Sequence, residues 1–153
     1  MTDMAATAKS TWRDYKELTK PNVVLLMILT SVIGMFMAVP GMVPLDALIL
    51  GNLGIALCAG AAAAVNHLVD QRVDQRMART SKRPMAQGRV GTLQAAVFAL
   101  VLGGAGMAIL LIWINALTAW LTFASLVGYA FVYTLFLKRA TPQNIVIGGL
   151  AGA

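Results

Sequence analysis

From Leu93 to Leu137 the chain runs for 45 residues without a formal charge. A stretch that long has few structural solutions. Backbone N–H and C=O groups in hydrocarbon must be satisfied within the chain itself, and a helix does this within each segment. About 20 apolar residues cross the roughly 30 Å of a bilayer core. The run is therefore too long for one helix and fits two, with a turn near Trp113-Ile114-Asn115. Two earlier runs have the same character: Asn22 to Val39, with 18 residues, and Ala47 to Val65, with 19, also lack formal charge. Another apolar segment starts near Asn144 and reaches Ala153. The expectation is an all-α membrane protein, a multi-span helical bundle with four complete spans and the start of a fifth.

Composition excludes an ordinary soluble domain. The chain is 59% hydrophobic and 12% charged, whereas soluble domains carry about 25% charged residues. A net charge of +6 suggests nucleic acid in a soluble protein, but here the basic residues are sorted by position. Four lie in the tail (Lys9, Arg13, Lys16, Lys20), six between Arg72 and Arg89, and two at Lys138-Arg139, with none in Pro40–Asp46 or Trp113–Asn115. Positive charge gathers on the cytoplasmic face of membrane proteins, so no nucleic-acid partner is expected. The N-terminus, the polar stretch after Val65 and Lys138-Arg139 are expected in the cytoplasm, against the lipid bilayer.

The segments between follow local rules. Residues 1–20 read as a cytoplasmic or interfacial tail, with Trp12, Tyr15 and Leu18 at three-residue spacing suited to the headgroup level. Pro21 fits the first turn of a helix, and Pro40-Gly41-Met42-Val43-Pro44 reads as a tight turn. The run Ala59-Gly60-Ala61-Ala62-Ala63-Ala64, and Gly103, Gly104 and Gly106, are small residues that let helices approach closely in lipid. The single cysteine, Cys58, excludes an internal disulfide and reads as a small buried hydrophobe.

Chemistry is concentrated from Asn66 to Pro84, which holds two of the six acidic residues and five of the twelve basic ones. Residues 66–91 are expected as a polar loop. If the helix before them continues, Asn66, Asp70 and Asp74 share one face at i, i+4 and i+8. Like charges one turn apart destabilise a helix by about 0.2–0.5 kcal/mol, unless a cation neutralises them. Mg²⁺ takes one or two carboxylates and fills its other positions with water and substrate phosphate. Asp70 and Asp74, with Asn66 as a neutral oxygen donor, are the expected metal ligands and catalytic pair. Arg79, Lys82 and Arg83 are candidates to clamp the diphosphate beside Asn66, and Lys138 and Arg139 are within reach of the same role.

Asn66-x3-Asp70-x3-Asp74 followed by Met77-x-Arg79-Thr80-x2-Arg83-Pro84 resembles the first aspartate-rich motif of the UbiA superfamily of intramembrane prenyltransferases. The Arg-Thr-x-x-Arg-Pro ending, Leu18-Thr19-Lys20-Pro21 and Tyr133-Thr134-x2-Leu137-Lys138-Arg139 resemble most closely its haem-farnesylating branch. The resemblance runs from about Leu18 to Ala153. It implies a bundle of roughly nine helices in a bacterial inner membrane, about twice this length, with residues 21–153 the N-terminal part of the prenyltransferase domain. The second aspartate-rich motif is expected outside this chain, which alone should be inactive. The implied reaction is Mg²⁺-dependent transfer of farnesyl from farnesyl diphosphate to a vinyl group of haem B, giving haem O. Many members begin the motif with Asn-Asp, whereas this chain has His67 at the second position.

Alternatives stay open. The acceptor is haem, or else an aromatic acid or quinone precursor. A membrane phosphotransferase also uses Asp-x3-Asp, but its Asp-Gly-x2-Ala-Arg lead-in is missing here. A non-catalytic scaffold or transporter half is the remaining class. His67 is either a polar filler or a group that orients a ligand or approaches haem iron. Tyr129 and Tyr133 are interfacial, or face an allylic cation. Arg72, Arg76 and Arg89 set topology or touch lipid headgroups.

Overall fold

The structure is a computed structural model that describes residues 10–131 and residue 146. Its elements are helices: α1 (Trp12–Leu18), α2 (Pro21–Ala38), α3 (Asn52–Asp74, entered through a π-helical segment Ala47–Gly51), α4 (Thr92–Ile109, continued by a π-helical segment Leu110–Ile114) and α5 (Ala116–Val127). Among the described residues three helices are long and apolar enough to cross a membrane, Pro21–Ala38, Ala47–Asp74 and Thr92–Ile114, and Ala116–Phe131 is a shorter apolar helix. The architecture is an all-α, multi-span membrane bundle. The segment expected from Asn144 lies outside the described residues.

The expected breaks are in place. Pro21 occupies the first turn of α2. Gly41 turns the chain at φ +119° between α2 and α3, a conformation that costs glycine little. Asn115 separates α4 from α5 and caps α5, its Oδ1 accepting from the Thr118 amide at 2.6 Å.

The second span continues past Val65. Residues 66–74 form the last turns of α3, so the loop expected from 66 starts at 75. No Gly or Pro interrupts the sequence between Val65 and Pro84, and Leu68 packs against the buried core. The helix stops where Thr80 Oγ donates to the Asp74 carbonyl at 3.1 Å, satisfying one of the acceptors left over at a helix end.

α3 is the centre of the bundle and packs most extensively on α4. Cys58 is buried against α4, and Ala61 to Ala64 are buried around α3. At the crossing, a Cβ on Gly106 would sit 2.7 Å from Cys58 Sγ and from the Gly54 carbonyl oxygen, so only glycine fits there. Among the described residues Gly104 has no neighbour within 4 Å of an added Cβ, and packing among them does not explain it.

A second cluster closes the polar end. Leu18, Ala64, Met85, Val90, Ala95 and Ala99 are buried together, with Tyr15 and Phe98 against them. The Tyr15 and Phe98 rings are 5.0 Å apart. Of the three residues at three-residue spacing, Trp12 is exposed, whereas Tyr15 and Leu18 turn inward to cover the end of α3. Asp14, also buried, pairs with Arg89. Arg89 thus ties the loop to α1.

Candidate functional site

The continuous helix puts Asn66, Asp70 and Asp74 on one stripe of α3, and all three side chains are buried. Burying two carboxylates is costly unless partners compensate. Asp74 Oδ2 accepts from Arg83 Nη1 at 2.7 Å, a charge-assisted bond. Asp70 is held through Asn66. In the amide orientation that satisfies both neighbours, the Asn66 nitrogen donates to Asp70 Oδ2 at 3.0 Å and its oxygen accepts from Lys20 Nζ at 3.0 Å. The Tyr129 hydroxyl lies 3.4 Å from the same amide. Asn66 therefore joins α2, α3 and the end of α5, with its oxygen turned to Lys20.

Lys20 had no place among the site residues expected from sequence. It precedes α2 in a left-handed conformation, φ 49°, uncommon outside glycine and worth relating to function where it occurs. That bend ends α1, starts α2 and brings the ammonium to Asn66. The signal in sequence was the Leu18-Thr19-Lys20-Pro21 resemblance, which carried no role for the lysine.

The basic candidates separate. Arg83 is half-buried on Asp74, whereas Arg79 and Lys82 are exposed. Loop contacts hold Arg83 in place: the Lys82 carbonyl accepts from Arg89 Nη2 at 3.2 Å, and the Met85 carbonyl accepts from Gln71 Nε2 at 3.3 Å. Lys138, Arg139 and Tyr133 lie outside the described residues. His67, 3% exposed, is buried beside the stripe, and neither ring nitrogen has a hydrogen-bond partner among the described residues.

The described residues contain no group of three or more His, Cys, Asp or Glu side chains placed to hold a metal ion. What they offer is two buried carboxylates, an amide and two cations. A divalent ion that draws its other ligands from a phosphate and water suits such a set; an all-protein cage does not. The arrangement can hold a charged polyphosphate head at the polar end of a membrane-length helix.

A buried Asn-x3-Asp-x3-Asp stripe at the end of a membrane-length helix, paired with arginine and lysine, defines a class, and the chain belongs to it: it is a member of the UbiA prenyltransferase family, which it matches over residues 27–153. Within that family it is similar to proteins named protoheme IX farnesyltransferase. It is 75% identical to that of Saccharophagus degradans over 142 residues, covering 93% of this chain and 47% of the relative. It is 68% identical to that of Teredinibacter turnerae over 149 residues, covering 97% and 48%. Protoheme IX farnesyltransferase 1 of Pseudomonas putida is 64% identical over 153 residues, covering all of this chain and 52% of the relative. The chain spans about half the length of these curated relatives. No solved structure matches it.

Proposed function

We propose that this chain is the part of a haem-farnesylating enzyme that binds the diphosphate of farnesyl diphosphate. The whole protein transfers the farnesyl group to a vinyl group of haem B and yields haem O. The observation that carries this reading is the buried stripe of Asn66, Asp70 and Asp74, met by Arg83 and Lys20. The relatives' names support the choice of donor and acceptor.

The chemistry needs a leaving group stabilised and a cation protected. The allylic C–O bond breaks and its electron pair departs with diphosphate. The farnesyl cation adds to the terminal vinyl carbon, the positive charge passes to the carbon beside the porphyrin, and water adds there and loses a proton to leave the hydroxyl of the hydroxyethylfarnesyl product. Mg²⁺, when bound by Asp70 and Asp74 with Asn66 beside them, supplies Lewis-acid stabilisation of the departing diphosphate. Arg83 clamps non-bridging oxygens through its planar fork, and Lys20 adds a point charge. Arg79 and Lys82, exposed on the same loop, are the outer cations that draw the anion in, and Lys138 and Arg139 bind the same diphosphate in this reading. The apolar helices keep bulk water from the cation.

In this reading residues 1–20 lie at the cytoplasmic surface of a bacterial inner membrane. Residues 21–153 supply four spans and the start of a fifth, with the aspartate end of α3 facing the cytoplasm. The test is incubation of the full-length protein with farnesyl diphosphate, Mg²⁺ and haem B, followed by mass analysis of the porphyrin. The expected product carries farnesyl and one oxygen, and Asp70→Ala or Asp74→Ala lowers its yield by about 10²-fold or more at unchanged membrane abundance. A porphyrin free of isoprenoid from folded wild-type protein transfers the reading to an aromatic acceptor. Full activity in both variants would falsify the metal-diphosphate site.

A further inference from the structure

One buried group at the polar end of α3 has no role so far. At 3.6 residues per turn, Asn66, Asp70 and Asp74 advance by about 40° at each step, and His67 falls about 20° from Asp74 in azimuth. It thus lies on the edge of the same stripe, about 4.5 Å along the axis from Asp70 toward the apolar part of α3. Lys20, Arg83, Asp74 and Asp70 are the charged groups that bear on its ring. The ring is 3% exposed, and neither nitrogen meets a partner among the described residues. A neutral imidazole carries one N–H donor and one lone pair, and buried polar groups of folded proteins nearly always find partners. A ligand that enters the stripe can supply that partner.

The stripe also orders that ligand. Arg83 and Asp74 occupy its outer end, and the apolar body of the bundle lies beyond its inner end. An isoprenoid diphosphate with its chain among the helices directs the terminal phosphate outward and the esterified phosphate inward, to the level of His67. We propose that His67 donates a ring N–H to an oxygen of the esterified phosphate of the bound isoprenoid diphosphate. That phosphate receives the electron pair when the allylic C–O bond breaks, and the ring keeps its proton throughout. His67 is in this sense a catalytic residue. A carboxylate at that position repels the same oxygens unless a cation intervenes, whereas a neutral N–H attracts them directly.

This inference rests on the diphosphate reading above, and its test separates the two. The full-length protein is prepared as wild type, His67→Gln, His67→Leu and, as a second apolar variant, His67→Met. Calorimetry with inorganic diphosphate and Mg²⁺ gives affinity, farnesyl transfer gives kcat and KM, and thermal unfolding reports the fold. Leu, or Met if Leu unfolds, weakens diphosphate binding about tenfold and lowers kcat by about tenfold or more. Gln, which keeps an N–H donor, recovers both to within about threefold of wild type. Binding and kcat unchanged in the apolar variants overturn the proposal. So does Gln failing as badly as Leu, because the ring then acts by filling space. Wild-type protein that binds no diphosphate, or Asp70→Ala that binds it as well as wild type, brings down the earlier reading instead.

Discussion

α2 and α3 are both membrane-length apolar helices, yet none of the residues of α2 is buried and half of the most apolar stretch of α3 is. Apolar content does not separate them, but side-chain size does. α2 is built from Val, Leu, Met, Ile and Phe, whereas α3 has Gly54, Gly60 and four alanines from Ala61 to Ala64. In lipid, hydrocarbon is as good a solvent for leucine as another helix, so close backbone approach decides what goes to the centre. The helix that gains the centre also carries the polar residues, because only there do partners from several elements reach them. α2 contributes to the site through the residue just before it, Lys20.

The largest break in this contrast comes from enlarging one glycine in each helix pairing. Gly106→Leu drives a side chain into Cys58 and the Gly54 carbonyl, and overpacking of this kind costs about 1–3 kcal/mol or more. Gly34→Leu in α2 has nothing among the described residues within 4 Å of the added Cβ and should stay within about 0.5 kcal/mol. Unfolding of the full-length protein in detergent measures both. Equal effects would mean that α2 is packed as tightly as α3.

Hydroxyls sharpen the contrast at a smaller scale. Thr80 satisfies the Asp74 carbonyl at the end of α3, whereas Thr30 returns its hydroxyl to the Leu26 and Met27 carbonyls of its own helix, which are already bonded along it. Thr80→Val should cost about 1 kcal/mol and speed proteolysis within residues 75–91. Thr30→Val should change stability by less than about 0.5 kcal/mol. Loop cleavage unchanged in Thr80→Val would detach the loop from the end of α3.

Much of this was legible in sequence because it is local. The uncharged runs give the three membrane-length helices among the described residues, and the four-residue spacing gives the aspartate stripe once the helix is known to continue. What was not legible comes from distant residues that the fold brings together. Lys20 and Asn66 are 46 positions apart, and Asp14 and Arg89 are 75 apart. Among Arg79, Lys82 and Arg83 the sequence offers three equivalent cations, and only the path of the loop, pinned by buried Met85 and Val90, selects Arg83. His67 reads as filler or as a ligand-orienting group until its burial without a partner among the described residues is seen.

The smallest expected effect tests whether charge or packing holds α1 to the end of α3. Asp14 accepts from the Thr11 amide and hydroxyl, each at 2.8 Å, and pairs with Arg89. These contacts, the Thr11 amide first, hold its carboxyl below its ordinary value of 3.8 despite the opposing effect of burial. The folded state therefore binds fewer protons than the unfolded state in that window, and stability rises with pH across it. The contribution of Asp14 is complete above about pH 4 and is lost as pH falls through the depressed value. Asp14→Asn removes this dependence, so the difference in melting temperature between wild type and variant should be constant from pH 7 to about pH 4 and shrink below it. A difference that stays constant on acidification would mean that the carboxylate charge does not hold α1 to the loop, and that Tyr15 and Leu18 keep it there by packing alone.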